Sequence, residues 1–173
     1  MKKAGTEPLH SALPIEPRQF RNTMGKFTTG VTVITAQTGD GDTHGMTANG
    51  FISMSLTPPL VGISLGNASR MAAVLHSSGR FGVSFLSAPQ IDYSMHFAGS
   101  PNSTLKPEFE ERNSYKFISG ATAFVGAGIE ASHQIGDHTL FVGRVDYLET
   151  HEHSPLVLHG GKYETLRVES LAS

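Results

Sequence analysis

The constraint that decides most about this chain is the spacing of its β-branched and aromatic runs. Val31-Thr-Val-Ile-Thr-Ala is followed by the turn Gly39-Asp-Gly-Asp and then by Thr43 to Met54. Ala123 to Ile135 and His138 to Glu149 are separated by only Gly136-Asp137. Runs of this kind joined by two to five turn residues read as hairpins, and hairpins build antiparallel sheets. A parallel sheet would need a crossover of a dozen residues or more between strands, and these gaps are too short. Further strand-like runs lie at Leu60 to Leu65, Phe81 to Leu86 and Pro155 to Tyr163. Glycine agrees with this pattern, since 19 of 173 residues are Gly, spread along the chain as tight turns and close backbone contacts require.

Helical spacing is sparse. Phe20, Met24 and Phe27 recur at i, i+4, i+7 behind Pro17, a residue suited to a first helical turn. Asn67-Ala-Ser69 caps a second helix with Met71, Val74 and Leu75 on one face, and Pro89 to Phe97 forms a short third. Residues Ala98 to Ser119 are rich in Pro, Asn, Ser and charge, and read as a long loop with one helical turn. The order is best satisfied by a mainly β fold, a closed or nearly closed antiparallel barrel with a few peripheral helices. Residues 1–14 have no period and read as a loose N-terminal arm, leaving 15–173 as a single domain.

Charge and composition close off several functions. Thirteen Lys+Arg against fifteen Asp+Glu give a net charge of −2, so a nucleic-acid partner is not expected. Cysteine is absent, which excludes thiol catalysis, disulfides and cysteine-held metals. The longest apolar runs, such as Met71 to Leu75, fall far short of the ~20 residues of a membrane helix. Two N-terminal lysines with no apolar stretch behind them do not make a signal peptide, so a cytoplasmic protein without membrane partners is expected.

Four short motifs invite chemistry. Gly62-Ile-Ser-Leu-Gly66 fits the G-x-S-x-G of a hydrolase elbow, with Asp137 and His138 as triad partners on paper. That elbow needs a parallel sheet, and adjacent residues of a strand point to opposite faces, so Asp137 is not expected to orient His138. Gly126-Ala-Gly-Ile-Glu-Ala131 fits G-x-G-x-x-A but leads into another strand instead of opening a helix. His151, Glu152, His153 and His159 are close in sequence, yet no rigid element supplies convincing ligand spacing, so no metal is expected. The fourth, Gly45-Met-Thr-Ala-Asn-Gly-Phe-Ile-Ser-Met-Ser-Leu-Thr-Pro-Pro-Leu-Val, is the one with a ligand in view. Thr47, Asn49, Ser53 and Ser55 put short neutral hydrogen-bonding groups on a glycine-spaced backbone, which suits a planar heteroaromatic ring such as a flavin. Asn67 and Ser69 at a helix start, with Arg70 nearby, suit a phosphate.

Six blocks in one order carry a resemblance. They are Thr29-Gly-Val-Thr-Val-Ile-Thr; Gly45-Met-Thr-Ala-Asn with Ser53-Met-Ser-Leu-Thr-Pro-Pro-Leu-Val; Ser78-Gly-Arg-Phe-Gly-Val-Ser-Phe-Leu; Phe97-Ala; Gly136-Asp-His-Thr-Leu-Phe-Val-Gly-Arg-Val; and Pro155-Leu with Gly161-Lys-Tyr. From about Phe20 to Tyr163 the chain resembles the flavin reductase-like family, the reductase components of two-component flavin-dependent monooxygenases. The resemblance implies an antiparallel FMN-binding split barrel, commonly a homodimer. It implies hydride transfer from NADH to FMN or FAD, with the reduced flavin passed to a partner monooxygenase. By motif position, Thr47, Ala48 and Asn49 would line the isoalloxazine, Ser53 and Ser55 its polar edge, with Thr32 among the cofactor-binding residues. Asn67 and Ser69 would lie near the phosphate and Phe97 near the ring. His138 would serve catalysis at the nicotinamide, with Tyr163 near the same pocket. Two other readings stay open: a split-barrel module that binds flavin without turning it over, and a serine hydrolase.

Overall fold

The computed structural model describes residues 14–166. The arm expected over residues 1–14 lies outside the described residues except for Pro14. In chain order the elements are α1 (Pro17–Met24), β1 (Thr29–Gly30), β2 (Thr32–Gln37), β3 (Thr43–Ala48), β4 (Phe51–Leu56), β5 (Pro59–Gly66), α2 (Arg70–Ser78) and β6 (Arg80–Phe85). Then follow α3 (Ile91–Phe97), β7 (Phe109–Arg112), β8 (Tyr115–Ile118), β9 (Ala123–Ile135), β10 (His138–Thr150), β11 (Leu156–His159) and β12 (Lys162–Thr165). Every strand pairing is antiparallel, as the hairpin spacing requires.

Seven strands form the main sheet, in the order β3-β2-β6-β9-β10-β5-β4. The sheet does not close. Its two edges, β3 and β4, are consecutive in the chain, so Asn49-Gly50 crosses the split between them. The sequence predicts one strand from Thr43 to Met54; the structure breaks it at Asn49-Gly50, after which β4 leaves β2 and pairs with β5. Space at Gly50 explains the crossing: a Cβ there would come within 3.1 Å of the Ser64 carbonyl, whose own N–H donates to Gly50 O at 2.9 Å.

The core lies between the sheet and α2. Ile34, Ile63, Leu65, Phe81, Val83 and Phe141 of the sheet pack with Met71 and Leu75 of the helix, all at 1% exposure or less. Ser69 caps α2 by accepting from Ala72 N, and Gly79 ends it in the left-handed region at φ 67°. Gly126 of the G-x-G-x-x-A run sits inside β9, where the Tyr115 ring would lie 2.5 Å from a Cβ. That glycine makes room for an aromatic ring and opens no helix.

Another expectation needs correcting. Residues 98–119 hold the hairpin β7–β8, where the sequence predicts a loop with a helical turn. Asn113 and Ser114 both have positive φ, 48° and 63°, as a two-residue primed turn demands. Tyr115 and Phe117 then carry the hairpin into the molecule, where Phe117 stacks on Phe124 at 4.5 Å. Among the described residues no helix is long and apolar enough to cross a membrane.

Candidate functional site

The open seam of the sheet is also where the hydrogen-bonding residues collect. Met46, Thr47, Ala48, Asn49 and Gly50 form one wall of a cavity of about 290 Å³; Ser64, Leu65, Gly66 and His138 form the other. Strand register explains the second wall, because His138 at the head of β10 lies directly opposite Gly66 of β5. Glycine at 66 has nothing within 4 Å of a would-be Cβ, so the imidazole borders open space. Asn49 also borders a second cavity of about 240 Å³, walled by Thr29, Thr32, Phe51, Phe85, Leu86 and Leu156 among others. A third, about 920 Å³, lies between α1 and the Gly160-Gly161 turn and again reaches Thr29 and Asn49. Asn49 is therefore the hub of a groove that follows the split. Its side-chain amide makes no hydrogen bond to any described residue.

The remaining predicted residues fall into four groups. Thr32 and Thr47 hold β3 in place: the Thr32 hydroxyl donates to Ala48 O, and Thr47 Oγ1 donates to Ser94 O at 2.7 Å. Ser94 is fully buried, and its hydroxyl meets the Tyr163 hydroxyl at 2.8 Å. Tyr163 thus belongs to the support of the Thr47 wall. Phe97 packs over Gly45, where a Cβ would lie 2.5 Å from its ring, and lines none of the three cavities that Asn49 borders. Ser53 follows Phe51 on one face of β4, whereas Ile52 and Met54 lie over Gly62 on the other. Ser55 comes after a register shift between Ser53 and Ser55.

Asn67 and Ser69 have evident work in the fold. Ser69 is the α2 cap. Asn67 binds the turn beside His138 with its backbone N–H and both ends of its side-chain amide: the N–H donates to Asp137 O at 2.9 Å, Nδ2 donates to Gly136 O at 3.3 Å, and Oδ1 accepts from Thr139 Oγ1 at 2.8 Å.

The expectation that Asp137 cannot orient His138 is overturned. His138 Nδ1 and Asp137 Oδ1 lie 2.8 Å apart. The alternation argument fails because Asp137 belongs to the turn, beside Gly136 at φ 60°, and not to β10. The ring N–H beside it holds the Asp137 carboxyl below the usual carboxylate range. Ser64 nevertheless lies within the unbroken antiparallel β5, not on a strand-to-helix elbow, and makes no hydrogen bond to His138.

The clustered histidines have partners of another kind. His151 places Nδ1 2.9 Å from Ala121 O and Nε2 3.0 Å from Glu149 Oε1. Both partners accept, and with Glu149 contributing most they raise the His151 pKa. His159 Nδ1 is 2.8 Å from Thr28 Oγ1. Among the described residues no three His, Asp or Glu side chains are placed to hold a metal ion.

Sequence reasoning missed Thr29, which lines the groove, and Ser94, which supports its wall from behind. Thr29 Oγ1 is buried with no partner in the wall shared by the second and third cavities. An orphaned hydroxyl beside a free asparagine amide fits a planar ligand edged with carbonyls and ring nitrogens, which would satisfy both. Flavin is such a ligand.

Known proteins point the same way. The family model described as "Flavin reductase like domain" matches residues 24–167. An NADH-dependent flavin reductase of a Rhodococcus species is 38% identical over 156 residues, covering 89% of each chain. The reductase component of 4-hydroxyphenylacetate 3-monooxygenase from Thermus thermophilus is 36% identical over 81% of this chain and 89% of its own. Among solved structures, flavin reductase PheA2 in its native state superposes with a TM-score of 0.85 at 42% identity, covering 88% of this chain and 99% of that one.

Proposed function

Because the chain belongs to the flavin reductase-like family, we propose that it is an NADH-dependent flavin reductase that supplies reduced FMN or FAD to a partner monooxygenase. The observation that carries this for the chain itself is the groove at the sheet split, where Asn49 shares one cavity with His138 and the next with the unpartnered Thr29 hydroxyl. Bound flavin would supply the ring that takes hydride from NADH, giving reduced flavin and NAD⁺ with a proton from solvent. The protein's share is placement. Thr47, Ala48 and Asn49, backed by Thr32, Ser94 and Tyr163, form a wall of strand backbone that holds the ring by its edge. Ser53 and Ser55, on the opposite edge strand β4 and outside the three cavities, would offer polar groups only to a part of the ligand that extends beyond them. His138, at the head of β10 beside a turn held by Asn67, orients the nicotinamide across the gap. Two rings held at reacting distance away from water need no acid–base pair and no metal.

The reading includes a homodimer and a cytoplasmic location, where NADH is the diffusible hydride carrier. Edge strand β4 exposes Ile52, Met54 and Leu56 at 57%, 46% and 90%. An unpaired sheet edge with three apolar side chains on it is suited to a twofold partner.

The test is turnover. The purified protein oxidises NADH in the presence of FMN or FAD and not without them, and His138→Ala lowers kcat/KM for NADH about tenfold, the scale of one lost orienting hydrogen bond. Flavin binding without NADH oxidation would leave a binding module instead. Ester cleavage without flavin would point to the hydrolase. An unchanged NADH kcat/KM in His138→Ala, with the fold intact, would remove His138 from the site.

A further inference from the structure

On the reading that His138 faces the nicotinamide, we propose that Asp137 is a positioning residue that sets which His138 nitrogen carries the proton, and thereby makes the site selective for the carboxamide of NADH.

Asp137 presents a solvent-exposed carboxylate with Oδ1 2.8 Å from His138 Nδ1, and such a group is ionised at neutral pH. An ionised carboxylate only accepts, so the 2.8 Å contact requires the proton of the neutral imidazole to sit on Nδ1. A free imidazole side chain in water favours the opposite tautomer, with the proton on Nε2. Asp137 inverts that preference. Nε2 is left with a lone pair, and it is the ring nitrogen without a partner among the described residues, on a side chain that borders the groove. A nitrogen lone pair accepts a hydrogen bond and offers none. The nicotinamide carboxamide has N–H groups to give it. The carboxylate of the corresponding nicotinic acid dinucleotide has none and would meet the lone pair with negative charge.

Turn geometry makes the arrangement rigid. Asn67 holds Gly136, Asp137 and Thr139 through three hydrogen bonds, so the Asp137 backbone and the His138 ring start from fixed positions. Asp137 itself is almost fully exposed, with 96% of its side chain accessible, and packs against nothing else. Its removal therefore spares the core, and a change in selectivity would not be a folding effect.

Two measurements on the full-length protein test this. In histidine labelled with ¹⁵N, the neutral form of wild-type His138 should show the proton on Nδ1. Asp137→Ala should move it to Nε2. Steady-state kinetics with FMN should show wild type preferring NADH over reduced nicotinic acid adenine dinucleotide, and Asp137→Ala should shrink that ratio about tenfold, mainly through KM for NADH. A wild-type ring protonated on Nε2, or a selectivity ratio unchanged in Asp137→Ala, overturns the proposal. Failure of the underlying reading looks different: there His138→Ala itself leaves NADH kinetics unchanged.

Discussion

Asn67 offers the sharpest test of how the groove is built, because two roles for it make opposite kinetic predictions. Its position at a helix start suggests a phosphate; its hydrogen bonds commit it to the His138 turn. Asn67→Ala removes the two side-chain bonds and keeps the backbone bond to Asp137 O. The Gly136 bond is long, at 3.3 Å, and its carbonyl sits in an exposed turn that water can serve, so little is lost there. The Thr139 bond matters more. Thr139 is 8% exposed, and without Asn67 Oδ1 its hydroxyl must find another acceptor or stay unsatisfied, which costs on the order of 1–2 kcal/mol. For a domain of this size that lowers Tm by about 3–6 °C. A loosened turn displaces His138, so KM for NADH should rise about fivefold, while FMN and riboflavin should be used in the same ratio as by wild type. Thermal unfolding followed by circular dichroism, and NADH oxidation with each flavin, measure all three quantities. If Asn67→Ala abolishes the preference for FMN over riboflavin and leaves NADH kinetics intact, the residue holds a phosphate and the turn argument is wrong.

Other perturbations follow from single contacts. Gly143→Ala would place a Cβ 2.7 Å from the Phe81 ring and 2.9 Å from Ala127 Cβ, both in the core, so overpacking should cost about 1–3 kcal/mol in denaturant melts. His151 has its pKa raised by Glu149 and Ala121 O, so its contribution to stability is complete below its ordinary value near 6.5 and is lost as pH climbs through the raised one. Tm should therefore fall from neutral into mildly alkaline pH, and His151→Gln should flatten that slope. Met54→Asp on the β4 edge should convert the proposed dimer to monomer by light scattering, and a wild-type monomer at micromolar concentration would contradict the dimer.

Much of the fold is legible because hairpin spacing is a local constraint. Gly136-Asp137 between two long β-branched runs forces β9 and β10 together whatever the rest of the chain does. What spacing does not reveal is a change of partner. Asn49-Gly50 is a turn dipeptide inside the run from Thr43 to Met54, but it does not say that the chain crosses the split there, because the edge of β5 lies beside it in space and not in sequence. The β7–β8 hairpin was within reach. Asn113 stands between Phe109 and the alternating Tyr115 and Phe117, but the flanking prolines and charges weigh toward a loop.

The site divides along the same line. Thr47, Ala48, Asn49 and His138 meet in one cavity, and each lies in a block whose residues can be read in order along the chain. Their supports cannot be read that way. Ser94 reaches Thr47 from α3, forty-seven positions away, and Asn67 reaches Thr139 across seventy-two. Such bonds follow from strand register, which depends on the whole sheet. Asp137 is misread from the sequence for the converse reason: strand alternation begins only at His138, because Gly136 at φ 60° has released the chain from it one residue earlier. A turn residue can bend back to a strand residue beside it, as no strand neighbour can. That freedom is what lets the two-residue Gly136-Asp137 turn supply both the reversal that builds the sheet and the acceptor for its histidine. A longer turn inserted there should keep β9 paired with β10 and still cost the enzyme its hold on NADH, which separates the turn's role in folding from its role in the site.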